Sequence, residues 1–232
     1  MEMTSKKKVV VIFSSIILLI IVFIGYTFIT SIYQEYRLKE EITNLTTLDI
    51  TKDSFDTGIV TYGDYKVVEN SIKDYLNEYA LNLQKINDIV SNDKFNKLLS
   101  YENLSKDEDF TESIQYVIDT KEEFNQYIDN LIDMCSEDKI KNNITKYHLN
   151  DYYVRLYNTL MLNEEVPNRL NMSKEYLEEY RNNINIKLDT CLEIFEFLKN
   201  NKENYVFEDN EIKFATQDLI DQYNGYIEKI KI

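Results

Sequence analysis

Twenty-six consecutive residues without a formal charge, Val9 to Gln34, follow directly on Lys6, Lys7 and Lys8. At about 1.5 Å of rise per helical residue the run reaches about 39 Å, more than the roughly 30 Å hydrocarbon core of a bilayer. A helix satisfies its own backbone in lipid, and Ser14, Ser15, Thr27, Thr30 and Ser31 can bond back to a carbonyl one turn earlier. Tyr26, Tyr33 and Tyr36 gather at the far end, where amphipathic rings favour the headgroup layer. The chain is therefore expected to read as a cytoplasmic tail over 1–8 and a transmembrane signal-anchor helix over 9–33. A juxtamembrane helix extension and loop over 34–63 follow, then an extracytoplasmic helical domain over 64–232.

The orientation rests on two features. Three lysines precede the span, whereas Arg37 and Lys39 follow it, so the positive-inside bias places the N-terminus in the cytoplasm. No other apolar stretch is long enough to cross. A cleaved signal peptide would carry a shorter apolar region of roughly 7–15 residues with small residues at the cut. Here the run is longer and the first Ala is Ala80. The expected location is the cell membrane, as a single-pass protein with its C-terminal domain outside.

Beyond residue 8 the chain holds 23 basic and 40 acidic side chains, a net charge of −17. That surface repels phosphate backbones and anionic lipid, which argues against nucleic-acid binding. One Pro and four Gly leave few helix breakers. The expected class is all-α, an antiparallel helical bundle behind the membrane helix, with room for one small β-hairpin near residues 204–214.

Apolar stripes at spacings of three and four carry this reading. Leu38, Ile42, Leu45 and Leu48 extend the membrane helix outward. Residues 49–64, with Gly58 and Gly63, read as a loop. Val68, Ile72, Tyr75, Tyr79, Leu83, Ile86 and Val90 mark a long helix that Asp64 can cap. Asn92 or Asp93 can cap a short helix, and Ser105 with Glu108 has capping-box spacing ahead of a helix striped by Phe110, Ile114, Val117, Phe124, Ile128 and Leu131. Ser136 and Asn150 can open two shorter helices. Pro167 reads as a break, with a long helix from Ser173 and a last one from about Thr216. Tyr205–Phe207 and Glu211–Phe214 flank a turn without Gly, the one hairpin-like patch.

Chemistry is sparse. His148 is the only histidine and lies among Tyr147, Tyr152, Tyr153, Arg155 and Tyr157. The six could form a ligand or partner patch, with Arg155 gripping a carboxylate. The plainer reading is a helix junction whose Tyr rings pack inward while hydroxyls reach water. Cys135 and Cys191 sit on apolar stripes of two long helices; an exported setting permits a disulfide, but two buried free thiols are favoured. No metal site is expected, because one His forbids the paired Glu-x-x-His of di-iron bundles and no Cys-x-x-Cys is present. Asp107–Asp109 and the pair Asp129 and Asp133 lack a calcium-loop pattern. Glu164/Glu165 and Glu178/Glu179 could serve glycan hydrolysis, yet such pairs are common in a chain with 41 acids.

No catalytic residue and no cofactor is expected. The leading functional expectation is a binding or scaffolding module at the cell surface, with the bilayer engaged through residues 9–33 and a protein partner of unknown identity. A small-ligand sensor or solute-binding bundle acting with another membrane subunit is the alternative. A carboxylate-dependent hydrolase is the residual one.

Overall fold

The computed structural model describes residues 5–45, 47–48 and 58–230, with the backbone alone for residues 5–21, 23 and 24. Among the described residues helix dominates, and the one small sheet is a two-stranded antiparallel hairpin. The chain forms two compact units. The first comprises residues 1–75 and 143–161, the second residues 76–142 and 162–232.

The first unit holds α1 (Ser5–Leu45), the opening turns of α2 (Asp64–Ser91) and α7 (Asp151–Met161). The expected span lies on α1, but the side chains of 9–21, 23 and 24 are outside the described residues. Among the described residues no helix is long and apolar enough to cross a membrane. The outward extension of α1 packs as its stripe dictates, for Leu38 and Leu45 are buried. Part of the expected loop, residues 49–57, lies outside the described residues; the rest, 58–63, is irregular. Gly58 and Gly63 both take left-handed backbone there, at φ of 79° and 61°, which only glycine adopts without steric cost.

The second unit is built on α5 (Thr111–Met134) and α8 (Val166–Asn200). Their antiparallel pairing can be read from a polar ladder. Lys121 pairs with Asp189, Asn125 with Asn185, and Asp129 with Arg181, so one helix ascends in steps of four as the other descends. The two asparagine amides close a reciprocal pair at 3.1 and 2.9 Å. The later turns of α2 also run antiparallel to α5: Tyr79 meets Cys135, and Asn130 donates to Asn82 at 3.2 Å. Ile86, Phe124, Ile128, Leu131 and Leu177 fill the space between the three helices.

A second apolar cluster centres on Phe110, Val117, Leu188, Ile194, Phe195 and Leu198. The short helices α3 (Asp93–Asn96) and α4 (Tyr101–Lys106) contribute Phe95 and Leu104 to it. The hairpin β1 (Tyr205–Glu208) and β2 (Glu211–Phe214) and the final helix α9 (Gln217–Ile230) cover it. Tyr205 opposes Phe214 and Phe207 opposes Ile212, which puts all four side chains on the face toward this core. The missing turn glycine is replaced by Asp209 and Asn210, both left-handed at φ of 53° and 63°. Asp and Asn tolerate that region better than other non-glycine residues, which is what a two-residue hairpin turn demands.

Two boundaries differ from the sequence expectation. Pro167 does not break α8: the helix begins at Val166, with the proline in its first turn, where no backbone N–H is required. The capping box of Ser105 and Glu108 does not form. Ser105 lies inside α4, and α5 starts after Phe110, whose backbone is left-handed at φ 59° while its ring, fully buried, stacks on Phe195 at 5.8 Å. The exposed amides of α5 are instead met by carboxylates, Asp107 accepting from Ser113 N at 2.8 Å and Asp109 from Thr111 N at 3.2 Å. Asp64 lies inside α2 as its first residue rather than ahead of it as a cap; the other expected caps form. Asn92, Ser136, Asn150 and Thr216 each accept from a first-turn amide two or three residues on.

Candidate functional site

Among the described residues, three places concentrate polar or accessible chemistry. The first is the tyrosine-rich stretch around His148, carried by α7 and the turn that precedes it, after α6 (Glu137–Thr145). Tyr157 is fully buried and accepts from Asn143 at 3.1 Å; burial pushes its hydroxyl pKa up, with Asn143 and Ser71 acting against it. Asn143 also reaches the backbone and hydroxyl of Ser71, tying the end of α6 to α2. Tyr152 and Tyr153 turn toward Tyr65, with edge-to-face rings 5.0 Å apart for Tyr65–Tyr153 and 5.1 Å for Tyr152–Tyr153.

A directed hydrogen-bond chain runs through this group. Tyr152 donates to the Glu35 carboxylate, which leaves Tyr65 to donate to Tyr152 at 3.1 Å and Ser31 to donate to Tyr65 at 2.6 Å. The Glu35 carboxyl is held below its ordinary range by Lys39 first and Tyr152 second. Burial and this carboxylate together raise the Tyr152 hydroxyl. Of the other members, Tyr147 is half-buried with the Lys146 ammonium 5.1 Å from its ring, and His148 is exposed on left-handed backbone at φ 53°. Arg155 is exposed and, among the described residues, makes no ion pair. Tyr152, Tyr153 and Tyr157 are thus drawn into packing and hydrogen bonds within the unit, while His148 and Arg155 face water.

The second place is a buried ionic cluster that sequence reasoning missed. Glu69 is fully buried and Lys73 nearly so, one helical turn apart on α2, at 2.7 Å. Lys73 also bonds Glu41 of α1 at 2.7 Å and the carbonyl of Gly58. Its three N–H donors are thereby all engaged. Glu69 accepts from Val60 N at 3.0 Å, Thr61 N at 2.9 Å and the Thr61 hydroxyl at 2.7 Å. Burial works to raise the Glu69 pKa, but hydrogen bonds from Lys73, Thr61 and Val60 outweigh it and hold the carboxyl below its ordinary value. Gln34 adds a further tie, accepting from Tyr62 N at 2.9 Å. The signal available in the sequence was Glu69 and Lys73 at the i, i+4 spacing on the apolar side of α2. The cluster fixes segment 58–62 against α1 and α2; Lys73 and the Glu69 carboxylate are fully engaged, while the Gln34 side-chain N–H group is buried without a partner among the described residues.

The third place is a groove of about 310 Å³ in the second unit, lined by Tyr79, Leu83, Met172, Ser173, Tyr176 and Leu177. Met172 is 69 % exposed and Tyr176 67 %, and Tyr176 stacks on Tyr180 with rings 3° from parallel. Single exposed apolar side chains are ordinary, but here two large ones stand together at the rim of one groove. Met and Tyr are also the residue types enriched in protein interfaces.

The thiols and acid pairs fill structural places. Cys135 and Cys191 are both buried and free. Burial raises the Cys135 thiol, with Tyr79 and Lys174 acting against it, and pushes Cys191 up to about 11, with Lys187 acting against it; neither is poised as a thiolate. Asp129 and Asp133 pair with Arg181 at 2.6 Å and Lys139 at 2.5 Å, and Glu165 pairs with Arg169 at 2.8 Å. Among the described residues no group of three His, Cys, Asp or Glu side chains is placed to hold a metal ion. Compared with protein-family models, with curated proteins and with solved structures, the chain matches none.

Proposed function

We propose that the chain is a single-pass membrane protein, anchored through residues 9–33, whose acidic helical domain outside the cytoplasm binds a protein partner. The anchor rests on the uncharged run from Val9 to Gln34 and the lysines before it. The binding reading rests on one observation, the groove whose rim presents Met172 and Tyr176 to solvent. An apolar side chain of a partner helix or extended segment would bury both of them. Tyr176 would supply contact area at little cost in rotamer freedom, and Met172 would adapt its shape.

A photo-crosslinking side chain in place of Tyr176, activated in intact membranes, should capture a discrete partner. Met172→Ser with Tyr176→Ser should abolish co-purification of that partner, while Val206→Ser, a comparably exposed site away from the groove, should not. Intact membranes that yield no crosslinked partner, or one still retained by the double variant, would refute the proposal.

A further inference from the structure

We infer that Tyr62, at the inner end of segment 58–62, forms with Tyr152 a collar that lies in the lipid headgroup layer, so that the protein holds its membrane by a surface as well as by a helix. This rests on the anchoring reading above. A hydrocarbon core of roughly 30 Å takes up about 20 helical residues, which from Val9 brings its outer edge to about residue 28. The next several residues of α1, about 29 to 34, then fall in the headgroup layer.

Tyr62 and Tyr152 are bonded to α1 at or just beyond that height, whereas the Gly58 end of the segment is tied through Lys73 to Glu41, about 10 Å farther out. Ser31 shares its hydrogen bond with Tyr65, Gln34 accepts from Tyr62 N, and Glu35 accepts from Tyr152. The residues around these bonds expose the chemistry the layer favours. Ile59 is 41 % exposed, Tyr62 54 % and Tyr152 40 %, beside Ile32 and Tyr33 of α1 at 55 % each. Tyrosine rings, apolar on the face and polar at the tip, partition to the interface. An isoleucine held open to water gains by entering it.

The segment cannot turn these side chains inward. Val60 and Thr61 are fixed by Glu69, Gly58 by Lys73 and Tyr62 by Gln34. The buried ionic cluster and Gln34 therefore hold Tyr62 as a rigid edge. The occupant is a neutral or zwitterionic lipid interface: the domain is acidic and would be repelled by anionic headgroups.

The chain contains no Trp, so a single introduced one reports its own depth. The full-length protein would be placed in phosphatidylcholine vesicles whose acyl chains carry bromine just below the headgroup. Three variants would be compared: Tyr26→Trp in the span, Tyr62→Trp in the collar and Asn44→Trp on α1, about 18 Å beyond Ile32. Quenching to roughly half the emission at Tyr26 and Tyr62, with Asn44 unaffected, supports the collar. Quenching at Tyr26 but not Tyr62 overturns the collar and leaves the anchor standing. No quenching at Tyr26 overturns the anchor and the collar with it. Equal quenching at all three sites would mean α1 lies along the surface, which overturns both.

Discussion

Lys73 carries the largest concentration of buried charge in the first unit, and its surroundings determine what its removal does. The ammonium serves two carboxylates, Glu69 and Glu41, and a carbonyl, Gly58. Lys73→Met keeps the bulk of the stem but leaves Glu69 buried with no cation. Breaking a buried pair from one side costs about 3–5 kcal/mol, and that loss should appear in urea unfolding followed by circular dichroism in detergent micelles. A loss under about 1 kcal/mol would mean the cluster relaxes into solvent. The acid limb follows from the same site. Glu69 has its folded pKa depressed below the ordinary 4.5. Its contribution is therefore fully present above about pH 4.5 and is lost as pH falls through the lower folded value. Glu69→Gln retains an acceptor for Val60 and Thr61 but no longer titrates, so it should lower stability at neutral pH and flatten the acid limb. An acid limb identical to that of the unsubstituted protein would assign it to other carboxylates.

At the scale of the element, what separates the legible from the illegible is whether a local pattern had a rival. The stripes of α2, α5 and α8 had none, and their apolar residues are buried or half-buried in the cores, although Glu69, Ser71 and Lys73 of α2 are buried as well. The hairpin was legible from its flanking strands even though its turn lacks glycine, because Asp209 and Asn210 accept left-handed backbone. Pro167 was ambiguous in principle, since proline both ends helices and suits their first turn. The tyrosine patch was legible as composition, but pattern could not show which members pack and which face water. The ionic cluster was only partly legible: Glu69 and Lys73 share the i, i+4 spacing on α2, but Glu41 and Gly58, which complete it, come from separate segments. The start of α5 failed for a different reason. Spacing favoured Ser105 and Glu108, yet burying the Phe110 ring against Phe195 pulls the helix start five residues on and leaves Asp107 to meet the amide of Ser113. The two assignments make opposite predictions. Asp107→Ala should cost about 1 kcal/mol, the usual value of a lost cap. Ser105→Ala should be near neutral, since its hydroxyl makes only a 3.5 Å contact with the Glu102 carbonyl inside α4. Thermal unfolding of the two variants distinguishes them, and a larger loss for Ser105→Ala would restore the capping box.

At the scale of the whole molecule, the proposed anchoring turns on which side of a membrane would receive the acidic domain. The bias is small: three lysines before the proposed span against Arg37 and Lys39 after it. Arg37 and Lys39 are also engaged locally, Lys39 pairing with Glu35 at 2.6 Å and Arg37 lying 5.9 Å from the Tyr33 ring. A pairing on the outer surface does not remove a positive charge from the count, because orientation follows Lys and Arg near the span rather than net charge. Neutralising Lys6, Lys7 and Lys8 to Gln therefore leaves only the outer two, and the bias reverses sign. The expected result is a mixed population. Protease added to intact cells should digest the domain of the unsubstituted protein nearly completely and that of the triple variant only in part. Membrane fractionation should recover both, since the uncharged run is intact. Complete protection of the unsubstituted domain, in cells whose envelope admits the protease, would reverse the proposed orientation. Equal and complete digestion of both would mean that the three lysines do not set it.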